Sequence, residues 1–133
     1  MAFVLDASVS VAWALADESS PIADAAEARM RREMAFVPPV WWYEVRNVLV
    51  VNERRQRITA DETSLFLGLL SGYTIEIDPE QDEDLILSLA RRHRLSFYDA
   101  AYLALAARED LPLATLDKAL QSAARSAGVA LVG

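Results

Sequence analysis

Four carboxylates stand where an α/β core would ordinarily carry apolar side chains. Asp6 ends the apolar run Ala2-Phe3-Val4-Leu5, and Asp117 follows Pro112-Leu113-Ala114-Thr115-Leu116. Asp99 falls in the first turn of Phe97–Ala107, a segment apolar on nearly every face, with Ala100, Leu103, Ala104 and Ala107 at helical spacing. Glu44 interrupts the stripe formed by Val40, Val48 and Val51. A helix apolar all round is a buried one, so Asp99 and Asp117 both read as buried acids at the edge of a core. Two like charges about 4 Å apart repel by roughly 4 kcal/mol at an effective dielectric near 20. Several such pairs would consume most of a net stability of about 5–15 kcal/mol. The group must therefore take up protons, basic partners or a cation. No Lys or Arg lies within a few residues of Asp6 or Asp99. Arg46, two positions beyond Glu44 on a helix, points elsewhere, and Lys118 is placed to pair with Asp117. Oxygen-only ligands select a hard cation such as Mg²⁺ or Mn²⁺, not zinc.

The elements that must position these acids alternate. The spacing predicts a first buried strand over Ala2–Leu5 and a helix from Ser8 to about Ala16. A second helix, capped by Ser20 with Pro21 at its first position, runs to about Arg32. Ala35–Val37 is a second strand, stopped by Pro38-Pro39. A third helix spans about Val40 to Arg55, and a fourth opens on Thr59, with Glu62 in capping-box spacing, and ends at Gly72. Thr74–Ile77 is a third strand near a sheet edge, and Asp82–His93 a fifth helix. Ser96 caps the helix over Phe97–Ala107, and Pro112–Leu116 is strand four. Lys118–Ala127 is a last helix with Gly128 at its C-terminal cap, and Val129–Val132 is a closing strand. Alternation of this kind marks an α/β fold: a mostly parallel sheet of four to five short strands with helices on both faces. In such sheets ligand crevices form at the carboxyl ends of the strands, where Asp6 and Asp117 lie.

At 133 residues the chain is expected to be one domain spanning 1–133. The absence of cysteine removes disulfides, thiolate metal sites and a Cys nucleophile. A net charge of −7 argues against coating nucleic acid by general electrostatics, but a bound cation reverses the local sign at a nuclease site. The stretch Ala7–Ala16 has the look of a signal-peptide core, yet no Lys or Arg precedes it and Asp6 interrupts the apolar run. No stretch approaches a membrane span. A soluble cytoplasmic protein is expected.

Asp6-Ala7-Ser8 after the first strand, Glu44-Val45-Arg46-Asn47-Val48-Leu49, Phe97-Tyr98-Asp99-Ala100-Ala101-Tyr102-Leu103-Ala104-Leu105-Ala106 and Thr115-Leu116-Asp117, in this order, resemble a PIN domain. The nearest group is the VapC-type ribonuclease toxins of toxin–antitoxin pairs. The resemblance implies a single PIN-like domain that cleaves RNA phosphodiesters, with Asp6, Glu44, Asp99 and Asp117 as catalytic and metal-binding residues around one or two Mg²⁺ or Mn²⁺ ions. Ser8, Asn47 and Thr115 match positions that support the acids. It also implies a small VapB-like antitoxin as partner and a homodimer. Where many relatives carry another acid or an aromatic residue after Asp117, this chain has Lys118-Ala119-Leu120, a departure that bears on the second metal position.

Each feature has an ordinary structural reading beside the functional one. Asp6 and Asp117 can cap helices, Asp99 can complete a capping box with Ser96, and Ser8 and Thr115 can bond backbone. Trp41, Trp42 and Tyr43 can stack bases or cover a partner helix, but such residues also fill cores. The basic groups Arg54, Arg55, Arg57 and Arg91-Arg92-His93-Arg94 suit helix C-termini, and His93 reads as a surface residue. The acids from Asp78 to Asp84 suit a helix N-terminus. A receiver domain would want an acid pair after the first strand and a late-strand Lys, and an aspartyl phosphatase would want an acid where Ser8 stands. The remaining rival is a PIN-like interaction module without turnover.

Overall fold

The computed structural model describes residues 1–133. The short apolar runs become four strands: β1 (Ala2–Leu5), β2 (Met34–Val37), β3 (Ile75–Ile77) and β4 (Leu113–Ala114). All pair in parallel, in the order β3-β2-β1-β4. β1 sits inside the sheet, with Phe3 opposite Ala35 on one side and Leu5 opposite Ala114 on the other. Phe3, Val4 and Leu5 are fully buried, which is why β1 reads as a continuous apolar run and not as an alternation.

Seven helices connect the strands: α1 (Ala7–Ala12), α2 (Pro21–Met30), α3 (Val40–Arg54), α4 (Ala60–Leu70), α5 (Glu83–His93), α6 (Phe97–Glu109) and α7 (Lys118–Ser126). The result is a single α/β domain built on one parallel sheet. α6 is its central helix: Ala100 and Tyr102 through Ala106 are buried, and the helix packs on β1, β4, α5 and α7. Its exposed end is the first turn, where Phe97 and Tyr98 face solvent.

Sequence punctuation sets the helix starts. Ser20 Oγ accepts from the Ile22 and Ala23 N–H groups, with Pro21 at the first position. Thr59 and Glu62 form the reciprocal capping box. Asp82, Ser96 and Asp117 each accept a backbone N–H three residues on. Gly128 takes φ +77 beyond α7, the left-handed conformation that glycine adopts without strain. Replacing Thr59 by Ala is expected to cost about 1 kcal/mol by loss of the box, read as a lower urea midpoint with unchanged slope.

Four expectations are corrected. α1 stops at Ala12, well short of Ala16, because the chain turns there and the Trp13 indole N–H donates to the Ala23 carbonyl on α2. The closing strand reduces to a single bridge between Leu131 and Leu113, since β4 offers only two residues for pairing. Asp117 is exposed and Asp99 half-buried, so neither is a core acid. His93 is not simply a surface residue: its Nε2 is buried without a partner.

Candidate active site

Asp6 is the residue on which the site is built. It follows β1 directly, and its backbone N–H donates to Ala114 O of β4. It occupies the N-cap position of α1, yet its carboxylate makes no capping bond. Instead Oδ2 accepts from Ser8 Oγ at 2.6 Å and from Thr115 Oγ1 at 2.7 Å. Both hydroxyls are in turn fixed by backbone N–H donors, Leu116 to Ser8 Oγ at 3.0 Å and Asp117 to Thr115 Oγ1 at 3.1 Å. A hydroxyl has one proton to give, so these amides aim both protons at the same carboxylate oxygen. Oδ2 thus accepts both hydroxyl protons, which fixes the orientation of the carboxylate.

Glu44 sits half-buried on α3, where its Oε1 accepts from Tyr102 Oη at 2.7 Å. Asp99 lies in the first turn of α6 with its N–H donated to Ser96 Oγ. Asp117 Oδ1 accepts from Leu120 N–H at 2.9 Å, capping α7. Asn47 is exposed on α3 beside Glu44 and lines the same surface pocket.

Electrostatics links the acids. Burial pushes the Asp6 carboxyl up to about 6, against the lowering effect of its two hydroxyl donors, and the charges of Glu44 and Asp99 raise it further. Burial also raises Glu44, with Tyr102 opposing and Asp99 adding to the rise. Burial raises Asp99, with Asp117 repelling it and Ser96 acting the other way. Asp6, Glu44 and Asp99 thus each feel at least one other acid, and none of the four is paired with a base: every ion pair of the chain lies elsewhere. Lys118 does not pair with Asp117. Arg46 donates to the Trp42 carbonyl and stacks on the Trp42 ring, away from Glu44.

The donor chemistry and the uncompensated charge fit a hard divalent ion. The acids do not form a finished cage, because no three metal-ligating side chains stand close enough to grip one ion. Glu44 is tied to Tyr102 and Asp117 to the start of α7.

A PIN domain family model matches residues 3–126. The chain belongs to the PIN domain family. Family members are generally metal-dependent nucleases. The crystal structure of PAE2754 from Pyrobaculum aerophilum is similar to this PIN domain with a TM-score of 0.66 and 26% identity, covering 92% of this chain and 87% of that one. No curated protein matches.

Sequence reasoning missed Tyr102 as part of this PIN centre. It is fully buried, and its hydroxyl reaches Glu44 across 58 residues of sequence. The available signal was its position one helical turn after Asp99, on the same side of α6, with a hydroxyl that burial obliges to find a partner. Tyr102→Phe is expected to cost about 1–2 kcal/mol, as a donor to a charged group is lost while water replaces it only in part. Urea titration at pH 8 measures it.

Proposed function

We propose that this PIN domain is a Mg²⁺- or Mn²⁺-dependent endoribonuclease, and that Asp6, Glu44, Asp99 and Asp117 are its metal-binding and catalytic carboxylates. The observation that carries the reading is Asp6. It is a buried acid with no basic partner that declines its capping role and is held by two hydroxyls aimed from opposite ends of the chain. A carboxylate kept only for stability would be neutralised by a base or turned to the helix end. The bound ion would supply charge neutralisation at the scissile phosphate and a water of lowered pKa. The chain's own part is to hold Asp6 in one orientation through Ser8 and Thr115, and Glu44 through Tyr102. Asn47 supports the site from beside Glu44.

The same reading places the chain with the VapC-type toxins. Its partners are then an RNA substrate, a small VapB-like antitoxin and a second copy of itself in a homodimer, and its compartment is the cytoplasm. No helix is long and apolar enough to cross a membrane.

One observation favours a second reading, an interaction module of PIN fold without turnover: the acids are not gathered into a cage. Manganese separates the two. For the nuclease, 1 mM Mn²⁺ raises Tm by several degrees at pH 8, Asp99→Asn removes the rise, and structured RNA is cut with Mg²⁺ but not with EDTA. An unchanged Tm and intact RNA would leave the interaction module.

A further inference from the structure

Beside the acids lies a pocket of about 440 Å³ lined by Val40, Tyr43, Glu44, Asn47 and Tyr98. Its tyrosines come from different helices, Tyr43 from α3 and Tyr98 from α6, and are 69% and 59% exposed. Tyr43 is not loose, because Trp42 meets its ring edge-on with centroids 5.1 Å apart, and the Arg46 guanidinium covers Trp42 at 4.0 Å. Two solvent-exposed tyrosine rings lining one opening, one of them braced by Trp42, suit a flat ligand. Asn47 adds an amide that both donates and accepts. Glu44 forms a wall of the pocket and is one of the four acids. A base and its own phosphate are separated by a single ribose, so a phosphate at the acids carries its base to this opening.

We propose that Tyr43, Tyr98 and Asn47 form a nucleobase subsite for single-stranded RNA, stacking the unpaired base next to the scissile phosphate and contacting its edge. This rests on the nuclease reading for its substrate class. Aromatic rings are the usual platform for bases of unpaired RNA, and stacking tolerates any base, so Asn47 supplies what base preference there is. A base within a duplex cannot enter, and the site selects unpaired segments.

The test uses the full chain and short single-stranded RNAs with one cleavable linkage, each carrying either a normal or an abasic nucleotide on one flank of that linkage. With the normal RNA, Tyr98→Ala is expected to lower kcat/KM about tenfold or more through a raised KM, and Tyr98→Phe to restore it. With the abasic RNA at the correct flank, wild type and Tyr98→Ala become equal. A Tyr98→Ala loss that is the same with and without the base, on both flanks, overturns the subsite while leaving the nuclease intact. A second arm does not need turnover. A 2-aminopurine RNA decamer added to Asp6→Asn protein is expected to change fluorescence on binding, and the added Tyr98→Ala substitution to remove that change. If the signal is the same with Tyr98→Ala, or if Tyr98→Ala instead dissociates a dimer in sedimentation without altering the signal, the pocket is a protein contact and the proposal falls. A wild-type chain that cuts no RNA but whose Asp6→Asn form gives the Tyr98-dependent signal refutes the nuclease and retains the subsite.

Discussion

Asp6→Asn is expected to lower metal-dependent RNA cleavage by at least ~10³-fold while making the metal-free protein more stable at pH 8. The two effects have one cause. Asn keeps the shape of Asp and still offers an oxygen to Ser8 Oγ and Thr115 Oγ1, the donors now 2.6 and 2.7 Å from Oδ2, so the fold is retained. It cannot supply the negative charge that holds a cation. Losing several kcal/mol of charge stabilisation at the phosphate corresponds to three or more powers of ten, since each 1.36 kcal/mol is tenfold. The same substitution removes a buried, unpaired carboxylate that costs stability when no cation is supplied. Single-turnover cleavage and thermal melts in EDTA check the two halves. A variant that cleaves as well as the parent would remove Asp6 from the chemistry, and one that melts lower at pH 8 would remove the electrostatic argument.

The second expectation concerns pH. The Asp6 carboxyl is raised from its ordinary 3.8 to about 6 in the folded chain. The folded state therefore holds this proton more tightly than the unfolded one. Its contribution is fully present below about pH 4, is lost as pH rises to about 6, and is absent above that. By linkage the difference is about 3 kcal/mol. Glu44 and Asp99 are raised as well, and act in the same direction. In EDTA, urea stability is expected to fall from pH 4 to 7, and Asp6→Asn to flatten much of that slope. A divalent ion competes with the proton for Asp6, so the Mn²⁺-induced rise in Tm is expected at pH 8 and not at pH 5. A profile that rises from pH 4 to 7 in EDTA would contradict the burial of an unpaired charge at Asp6.

The architecture was legible because its signals are local. Apolar runs bounded by Pro and Gly marked the strands, and Ser20, Thr59, Ser96 and Asp117 do cap the helices they precede, whereas Asp82, read as the first residue of its helix, is the cap of α5. Asp6 was legible as an acid ending a buried strand, and Ser8 as its neighbour. What local pattern could not show is where side chains from distant elements meet. Tyr102 on Glu44, Arg57 on Asp17 and Glu18, and Arg108 on Asp78 each join segments 30 or more residues apart. The acidic run from Asp78 was therefore only partly a helix-start feature, because Asp78 is taken by Arg108 while Asp82 caps α5. Burial failed in the same way. Asp117 looked interior because Pro112–Leu116 is apolar, but β4 is only two residues long and the chain has left the sheet before it reaches the acid. The three aromatic residues opening α3 divide by helix face: Trp41 is buried with its indole N–H donated to Ser10 Oγ, whereas Trp42 and Tyr43 face outward.

Thr115 reaches Asp6 across 109 positions of sequence, and β1 has no neighbour on that flank until β4 arrives. During synthesis the Asp6 carboxylate is made first and its orienting Thr115 hydroxyl 109 residues later. A ribosome-bound chain consequently carries an incompletely oriented Asp6 until Thr115 has been added and β4 can pair with β1. If the chain is the endoribonuclease proposed above, that order of synthesis leaves its key carboxylate unoriented while the chain is still being made.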